Sequence, residues 1–380
     1  MQIRLKLLRA RTGSMRRHES RTVPYALGLG APRIDSVVRR FACSLLWVVL
    51  ALCTPLTPPA FSQQSRALSA EERAVAYLAA EVPGWSRENH CFSCHNNGDA
   101  ARALYVARSL SYDVAVEALS DTTDWLLRPT AWEDNKGEPG FSDKKLARIQ
   151  FAAALAEAFR TAAVDARQPL VIAAEALLPD QSEDGSWQVD VSGALGSPAT
   201  YGTTLASYMA RRTLYTAGAE RYRDAISRAD EWLLGQSPRA TVDAAALALA
   251  MADRLASSEA VPATPTTAVG KKLREIEAWL LESQAGDGGW GPYPKSPSEA
   301  FDTAITLLAL TAARDVNREN SANVSEGVRR GRGYLIATQL PAGGWPATTR
   351  PSGFQSYAQH ASTSGWATLA LLRTGPGSKR

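Results

Sequence analysis

From residue 67 onward the chain alternates between two kinds of apolar segment. One kind carries a charged face and ends on a large apolar group: Tyr77-Leu78, Trp125-Leu126-Leu127, Ala176-Leu177-Leu178, Trp232-Leu233-Leu234, Trp279-Leu280-Leu281 and Tyr334-Leu335-Ile336. The other is rich in alanine and apolar nearly all round, as from Thr241 to Ala250 and from Phe301 to Leu310. Both follow the period of an α-helix, with apolar residues three and four apart. The periodicity predicts twelve helices, near 70–82, 99–110, 114–127, 142–163, 167–178, 199–217, 222–235, 240–257, 268–284, 298–313, 323–339 and 360–373. Ser69, Asp99, Ser142, Asp165 and Thr241 are candidate N-caps, since short polar side chains accept from the first free backbone N–H groups. The apolar triplets recur 47–56 residues apart, the period of a two-helix unit with variable loops. A helix apolar on every side is buried on every side, so the alanine-rich helices form an inner layer and the amphipathic ones an outer layer. The Pro/Ser/Thr stretch from Ser257 to Thr267 reads as a loop inside the repeat.

Three of the outer helices end in the same turn. Gln181, Gly185 and Trp187 have the spacing Q-x-x-x-G-x-W, as do Gln284, Gly288 and Trp290, and Gln339, Gly343 and Trp345. Glycine takes the left-handed conformation that stops a helix without steric cost. A glutamine amide donates and accepts at once, so it can tie the turn to a neighbouring unit. Tryptophan supplies a large apolar plug. The pattern resembles the QW motif of the squalene-cyclase and protein-prenyltransferase superfamily, and the repeats span roughly Ala67 to Leu372. What the resemblance implies is an all-α fold, an (α/α)6 toroid of six helix pairs in two concentric rings. Fold alone does not name a reaction.

Composition changes the picture mainly at the N-terminus. Residues 1–62 hold ten Lys and Arg against Glu19 and Asp35. An apolar run from Phe41 to Cys53 follows Arg39-Arg40, and Ala60 and Ser62 flank Phe61 as a small-x-small cleavage site. Basic region, short apolar core and cleavage site together predict a secretory signal peptide with a mature start near 63, and hence a periplasmic or secreted protein. The run is short for a spanning helix, so no stable membrane span is expected after cleavage. The basic region is long, and Met15 is a candidate true start. Removing the leader's +8 from the chain's +4 leaves −4, so no basic patch points to nucleic acid. Residues 63–380 then form one toroid domain with two cysteines, Cys91 and Cys94.

Those cysteines belong to His90-Cys91-Phe92-Ser93-Cys94-His95, which contains C-x-x-C-H, the attachment site of c-type haem. Two thiols at this spacing can add to the two haem vinyl groups, and the next histidine can ligate the iron. The sequence around it, Arg87 to Gly98, reads as a polar, flexible loop. A local disulfide in an oxidising compartment is one alternative; zinc on Cys91, Cys94 and a histidine is another. After the leader the only histidines are His90, His95 and His360, and the only methionines are Met209 and Met251, inside predicted helices. His360 stands nine residues before Leu369, as His95 stands nine before Leu104. In a closed ring the sixth unit meets the first, which makes His360 the candidate distal ligand; a surface or capping residue is the alternative.

The chemistry of the resembled family is not spelled out in this chain. Cyclase relatives use an acidic D-x-D-D, and the nearest stretch here is Asp121-Thr-Thr-Asp124, read as a surface turn. Prenyltransferase relatives hold zinc with Asp, Cys and His, and no cysteine follows Asp302. Asp243 and Asp302, one turn into inner helices, read as caps before acids. Tyr201, Tyr208, Phe301 and Trp366 read as packing before lumen lining. The reading is therefore an exported toroid holding one covalent haem c through Cys91, Cys94 and His95, for electron transfer with a redox partner or redox chemistry on an apolar molecule in the ring. An isoprenoid-processing or isoprenoid-binding toroid with a Cys91–Cys94 disulfide, and a partner-binding scaffold, are the alternatives.

Overall fold

The fold begins at a capping box. Ser69 Oγ accepts from the Glu72 N–H (3.2 Å) and the Glu72 carboxylate accepts from the Ser69 N–H (2.7 Å), which satisfies two donors at once. The computed structural model describes residues 67–135, 143–189, 201–257, 267–317, 321–348 and 357–375. The expected leader and its expected cleavage site lie outside the described residues. Among the described residues twelve α-helices follow in chain order: α1 (Ala70–Asn89), α2 (Ala101–Ser109), α3 (Ser120–Leu126), α4 (Lys144–Arg160), α5 (Arg167–Leu177), α6 (Gly202–Gly218), α7 (Arg223–Gly235), α8 (Thr241–Ala256), α9 (Ala268–Glu282), α10 (Ala300–Val316), α11 (Ser321–Thr338) and α12 (Tyr357–Thr374). They correspond one to one with the twelve predicted helices, and no strand occurs among the described residues.

The even-numbered helices form the inner ring. α2 packs on α4, α4 on α6, α6 on α8, α8 on α10, α10 on α12, and α12 back on α2. Alanine makes this possible: Ala244, Ala245, Ala246, Ala248 and Ala250 of α8 have no solvent exposure. The odd-numbered helices bury a single face. In α9 that face is Gly270, Leu273, Ile276, Glu277 and Leu280, at helical spacing.

The three glutamine–glycine–tryptophan turns are wired alike. Gln181 Nε2 donates to Gly185 O (3.1 Å) and to Ala225 O of the next outer helix (2.9 Å), while Arg228 of that helix donates back to Gln181 Oε1. Gln284 does the same with Gly288 O (2.8 Å) and Gly327 O (2.9 Å). Gln339 does so with Gly343 O (2.9 Å) and Ala70 O (2.9 Å), and it accepts from Arg73. The third copy therefore fastens the last unit to the first and closes the ring. Gly185, Gly288 and Gly343 have φ of 94°, 91° and 103°. A Cβ at Gly343 would also stand 2.3 Å from Arg73 O, so the turn needs both the conformation and the space. Trp187, Trp290 and Trp345 are buried, and each Nε1 donates to the carbonyl of Leu177, Leu280 or Leu335 ten residues earlier. Their backbone N–H groups donate to Ser207, Thr303 and Ser364 on the following inner helices, a third connection the spacing did not reveal.

Several local expectations need correcting. α1 runs on to Asn89 through Pro83, beyond the expected end at 82. A proline normally breaks a helix. Here Asn96 and Asn97 donate side-chain hydrogen bonds to the carbonyls of Glu81 (3.1 Å) and Val82 (3.2 Å), supporting the backbone next to it. Ser69 caps as expected, but Asp143 caps α4 by accepting from the Leu146 N–H (3.1 Å). Ser142 lies outside the described residues. Asp165 makes no cap, because α5 starts after Ala166. Thr241 is the first helical residue of α8, and its hydroxyl donates to Gly291 O (2.6 Å). Asp243 accepts from the Arg239 N–H (3.2 Å), a capping role. Asp302 is buried in the first turn of α10. Asp121 and Asp124 are exposed on α3.

Candidate functional site

Residues 90–100 join α1 to α2 at the mouth of the inner ring. They are not the polar, flexible loop that the sequence suggests. α1 ends at His90, in the left-handed conformation (φ 54°), and Cys94–Ala100 form a π-helical turn leading straight into α2. Only four residues, His90 to Ser93, stand between. Asn135 holds this bridge, accepting from the Phe92 N–H (3.0 Å) and donating to Phe92 O (2.7 Å). The Phe92 ring stacks on Trp125 at 4.5 Å with 6° between planes. Ser93 Oγ caps the turn by accepting from the His95 N–H (3.2 Å). The polarity of Asn96, Asn97 and Asp99 suggested a loop, yet all three are buried and spend their polar groups inside the protein.

Cys91 and Cys94 carry free thiols and are partly buried. Burial, with the Asp99 charge adding to it, pushes the Cys94 thiol up to about 12, so it stays protonated at neutral pH. The His95 imidazole is pushed below its ordinary value by burial, with Asp99 opposing, which favours the neutral ring. Its Nδ1 is buried and has no hydrogen-bond partner.

His360 lies within the first turn of α12 and not ahead of it, as the sequence suggested. Its ring meets Tyr77 edge-on at 5.8 Å. Burial lowers its pKa too, with Glu81 opposing. The π-helical turn and α12 pack together, and both rest on α1. The ring closure thus brings the segments bearing His95 and His360 side by side, as expected.

Because both imidazoles resist protonation in the fold, stability follows pH in a defined direction. An unfolded chain takes protons on these histidines below about 6.5, whereas the folded chain refuses them until lower pH. The stabilisation is therefore complete above about 6.5 and falls as pH drops through the lowered folded values. Urea unfolding at pH 7.5 and 5.5 checks this: His95→Asn and His360→Asn should each flatten the difference.

The sequence reading missed the group at the centre of the mouth. Asp99, expected to be a cap, is buried and accepts three hydrogen bonds: from Gln150 of α4 (2.7 Å), from the Tyr201 hydroxyl beside α6 (2.9 Å) and from Ser362 of α12 (2.6 Å). Burial next to this carboxylate holds the Tyr201 hydroxyl well above its ordinary value, so it remains a donor. Trp366 packs edge-on against Tyr201 (6.0 Å) and Phe301 (5.8 Å), and Arg102 lies 4.0 Å over its ring. Tyr201 and Phe301 are packed in this cluster, whereas Trp366, like Tyr208, also lines a cavity on the ring axis. The signal available in the sequence was a few charged residues, Asp99, Arg102 and Glu157, set among small and apolar neighbours.

No protein-family model and no curated protein matches the chain. Solved structures do. A type II terpene cyclase from Scytonema, MstE, in complex with geranylgeranyl dihydroxybenzoate, is 13% identical with a TM-score of 0.50, over 81% of this chain and 98% of that one. A possible member of the GH105 family from Salmonella enterica is 13% identical with a TM-score of 0.53, over 84% and 98%. A protein from Actinoplanes is 15% identical with a TM-score of 0.50, over 80% and 98%. The likeness is one of fold: this chain is an all-α, cyclase-like α/α toroid.

Proposed function

We propose that the toroid is a scaffold for one covalent haem c, held by Cys91, Cys94 and His95 at the mouth of the ring. One observation carries the reading: two free thiols stand three residues apart, the second opening the π-helical turn beside an imidazole that burial keeps neutral and that lacks a partner at Nδ1. Neutral imidazole is the form that ligates iron, so the donor set fits the group. Bound there, haem c would supply one-electron transfer at its iron. The chain's own part is positional. Asn135, Phe92 and Trp125 fix the strip before the turn, and Ser93 orients the His95 backbone. His360, on the adjoining helix, is the candidate on the far side.

The test is expression of the full chain with c-type maturation machinery, followed by a haem stain of a denaturing gel. Wild type should stain, and Cys91→Ser and Cys94→Ser should lose most of the stain. His95→Ala should keep a covalent group with an altered spectrum. A His360→Ala spectrum identical to wild type would assign the far side to another residue. A wild-type chain with no stain, beside a cytochrome that stains in the same cells, overturns the proposal.

A second reading is an isoprenoid-processing or isoprenoid-binding ring. It is supported by the fold likeness to a terpene cyclase and by the buried carboxylate of Asp99 at the lumen mouth. Asp99 is already engaged by three donors, and the cavity left on the ring axis is about 60 Å³, small beside the several hundred Å³ of ordinary ligand pockets. Incubation with geranylgeranyl dihydroxybenzoate and analysis of extracts by mass spectrometry distinguishes the readings, since only this one expects a product that Asp99→Asn abolishes.

A further inference from the structure

All six inner helices line one cavity on the ring axis, on the side of their C-terminal ends. Its polar lining is one-sided. Arg102, Arg160, Arg212 and Arg373 face it, against a single carboxylate, Glu157. Asp253 stands behind, accepting from the Tyr208 hydroxyl (3.2 Å), and Tyr208 in turn accepts from Arg212 (3.0 Å). Glu157 is shared three ways: Arg160 donates to it at 3.1 Å, Arg373 at 3.0 Å, and Arg212 lies 3.9 Å away. With both carboxylates counted against the four arginines, the cavity keeps two positive charges in excess.

Arginines at helix C-termini have an ordinary explanation, since they meet the negative end of the helix dipole. Arg160 and Arg373 lie in the last turns of α4 and α12 and answer to it. Arg102 does not. It is the second residue of α2, it is 4% exposed, and among the described residues it forms no ion pair, the Glu157 charge acting on it only from beyond contact. Its guanidinium rests on Trp366, donates weakly to Met209 Sδ (3.5 Å), and leaves Nε buried without a partner. A buried cation with free donors is costly unless something pairs with it. The cavity beside it has room for a few waters or one small oxyanion.

We propose that this axial cavity binds a dianion of the phosphate class, as the free ion or as a phosphate monoester group, with Arg102 as its innermost contact and Arg212 and Arg373 closing over it. The fork of donors on each guanidinium matches phosphate oxygens, and such charge-assisted bonds are the strong ones. The apolar walls, Leu249, Leu308 and Leu369, raise the strength of the pairing by keeping water few. Nothing in this proposal depends on haem at the opposite mouth.

Calorimetric titration of the full chain with inorganic phosphate tests it, with phenyl phosphate as a second arm. Wild type should bind saturably. Arg102→Met should weaken binding by roughly tenfold or more, the worth of one charge-assisted hydrogen bond. Arg373→Gln, at a partly exposed site, should weaken it too and guards against a misfolded Arg102 variant. Arg329→Met, on the surface beside Glu326, should leave it unchanged. Tighter binding of phenyl phosphate than of phosphate assigns the site to monoesters, and the reverse assigns it to the free ion. Absence of saturable binding to wild type, or affinities equal in wild type and both cavity variants, overturns the proposal.

Discussion

Trp345→Ala should lower the free energy of unfolding by about 3–5 kcal/mol, the usual result of truncating a buried aromatic side chain. Trp345 has no exposed surface, and its indole N–H pairs with Leu335 O at 2.8 Å. Its backbone N–H is held by Ser364 of α12 (3.0 Å), so the residue joins the last outer helix to the last inner one. The loss has two parts: apolar area, and a carbonyl left with only the long contact from the Thr338 hydroxyl (3.5 Å), worth up to about 1–3 kcal/mol by itself. Trp345→Phe separates them, keeping most of the area and losing only the hydrogen bond. Urea denaturation at fixed pH measures both variants. A loss below about 1 kcal/mol for Trp345→Ala would mean that the turn is not part of the core, contrary to its burial.

Asp99→Leu should be comparably damaging for the opposite reason, since it improves hydropathy and destroys polar satisfaction. Three buried donors, on α4, beside α6 and on α12, lose their acceptor together, at about 1–3 kcal/mol each before any relaxation. A loss of about 3 kcal/mol or more is therefore expected in thermal or urea unfolding. Asp99→Asn should cost less, because its remaining carbonyl oxygen accepts from at least one of the three. An Asp99→Leu protein as stable as wild type would show that water or relaxation satisfies Gln150, Tyr201 and Ser362 in its absence.

The two variants mark the boundary of what can be read from the chain alone. Trp345 stands in a repeated spacing, and a spacing that recurs three times at one phase of a helical repeat is visible without coordinates. The helices themselves were visible for the same reason, as was their division into inner and outer layers: Ala244 to Ala250 leave no polar face to turn outward. Asp99 was hidden because its partners lie at positions 150, 201 and 362, distances along the chain over which no periodicity speaks. The π-helical turn was hidden because its polar residues look like a solvated loop. Asn96 and Asn97 in fact donate to the α1 carbonyls of Glu81 and Val82 beside Pro83, and those bonds exist only once the segments meet. Arg102 failed to stand out because, like Arg108 on the same helix, an arginine there reads as a surface residue until the ring around it is drawn.

The hydrogen bond from Gln339 to Ala70 spans 269 residues and joins the first helix to the last unit. During synthesis, α1 leaves the ribosome first and must wait for almost the entire chain before it finds the carbonyl-binding amide and the arginine–glutamate pair, Arg332 with Glu71, that complete it. Until then the growing chain is an open arc with two unsatisfied edges, one apolar face at each end. Neighbouring units can still assemble in order as they emerge, because the turn-to-helix contacts between them, such as Gln181 to Ala225 and Gln284 to Gly327, are short in sequence. Closure carries the longest separations, while links across the ring such as Tyr201 to Asp99 and Arg373 to Glu157 add further long-range contacts, so much of the entropy of bringing distant segments together falls on late steps. The molecule thus behaves as a repeat array while it forms and as an edgeless ring only once it is finished.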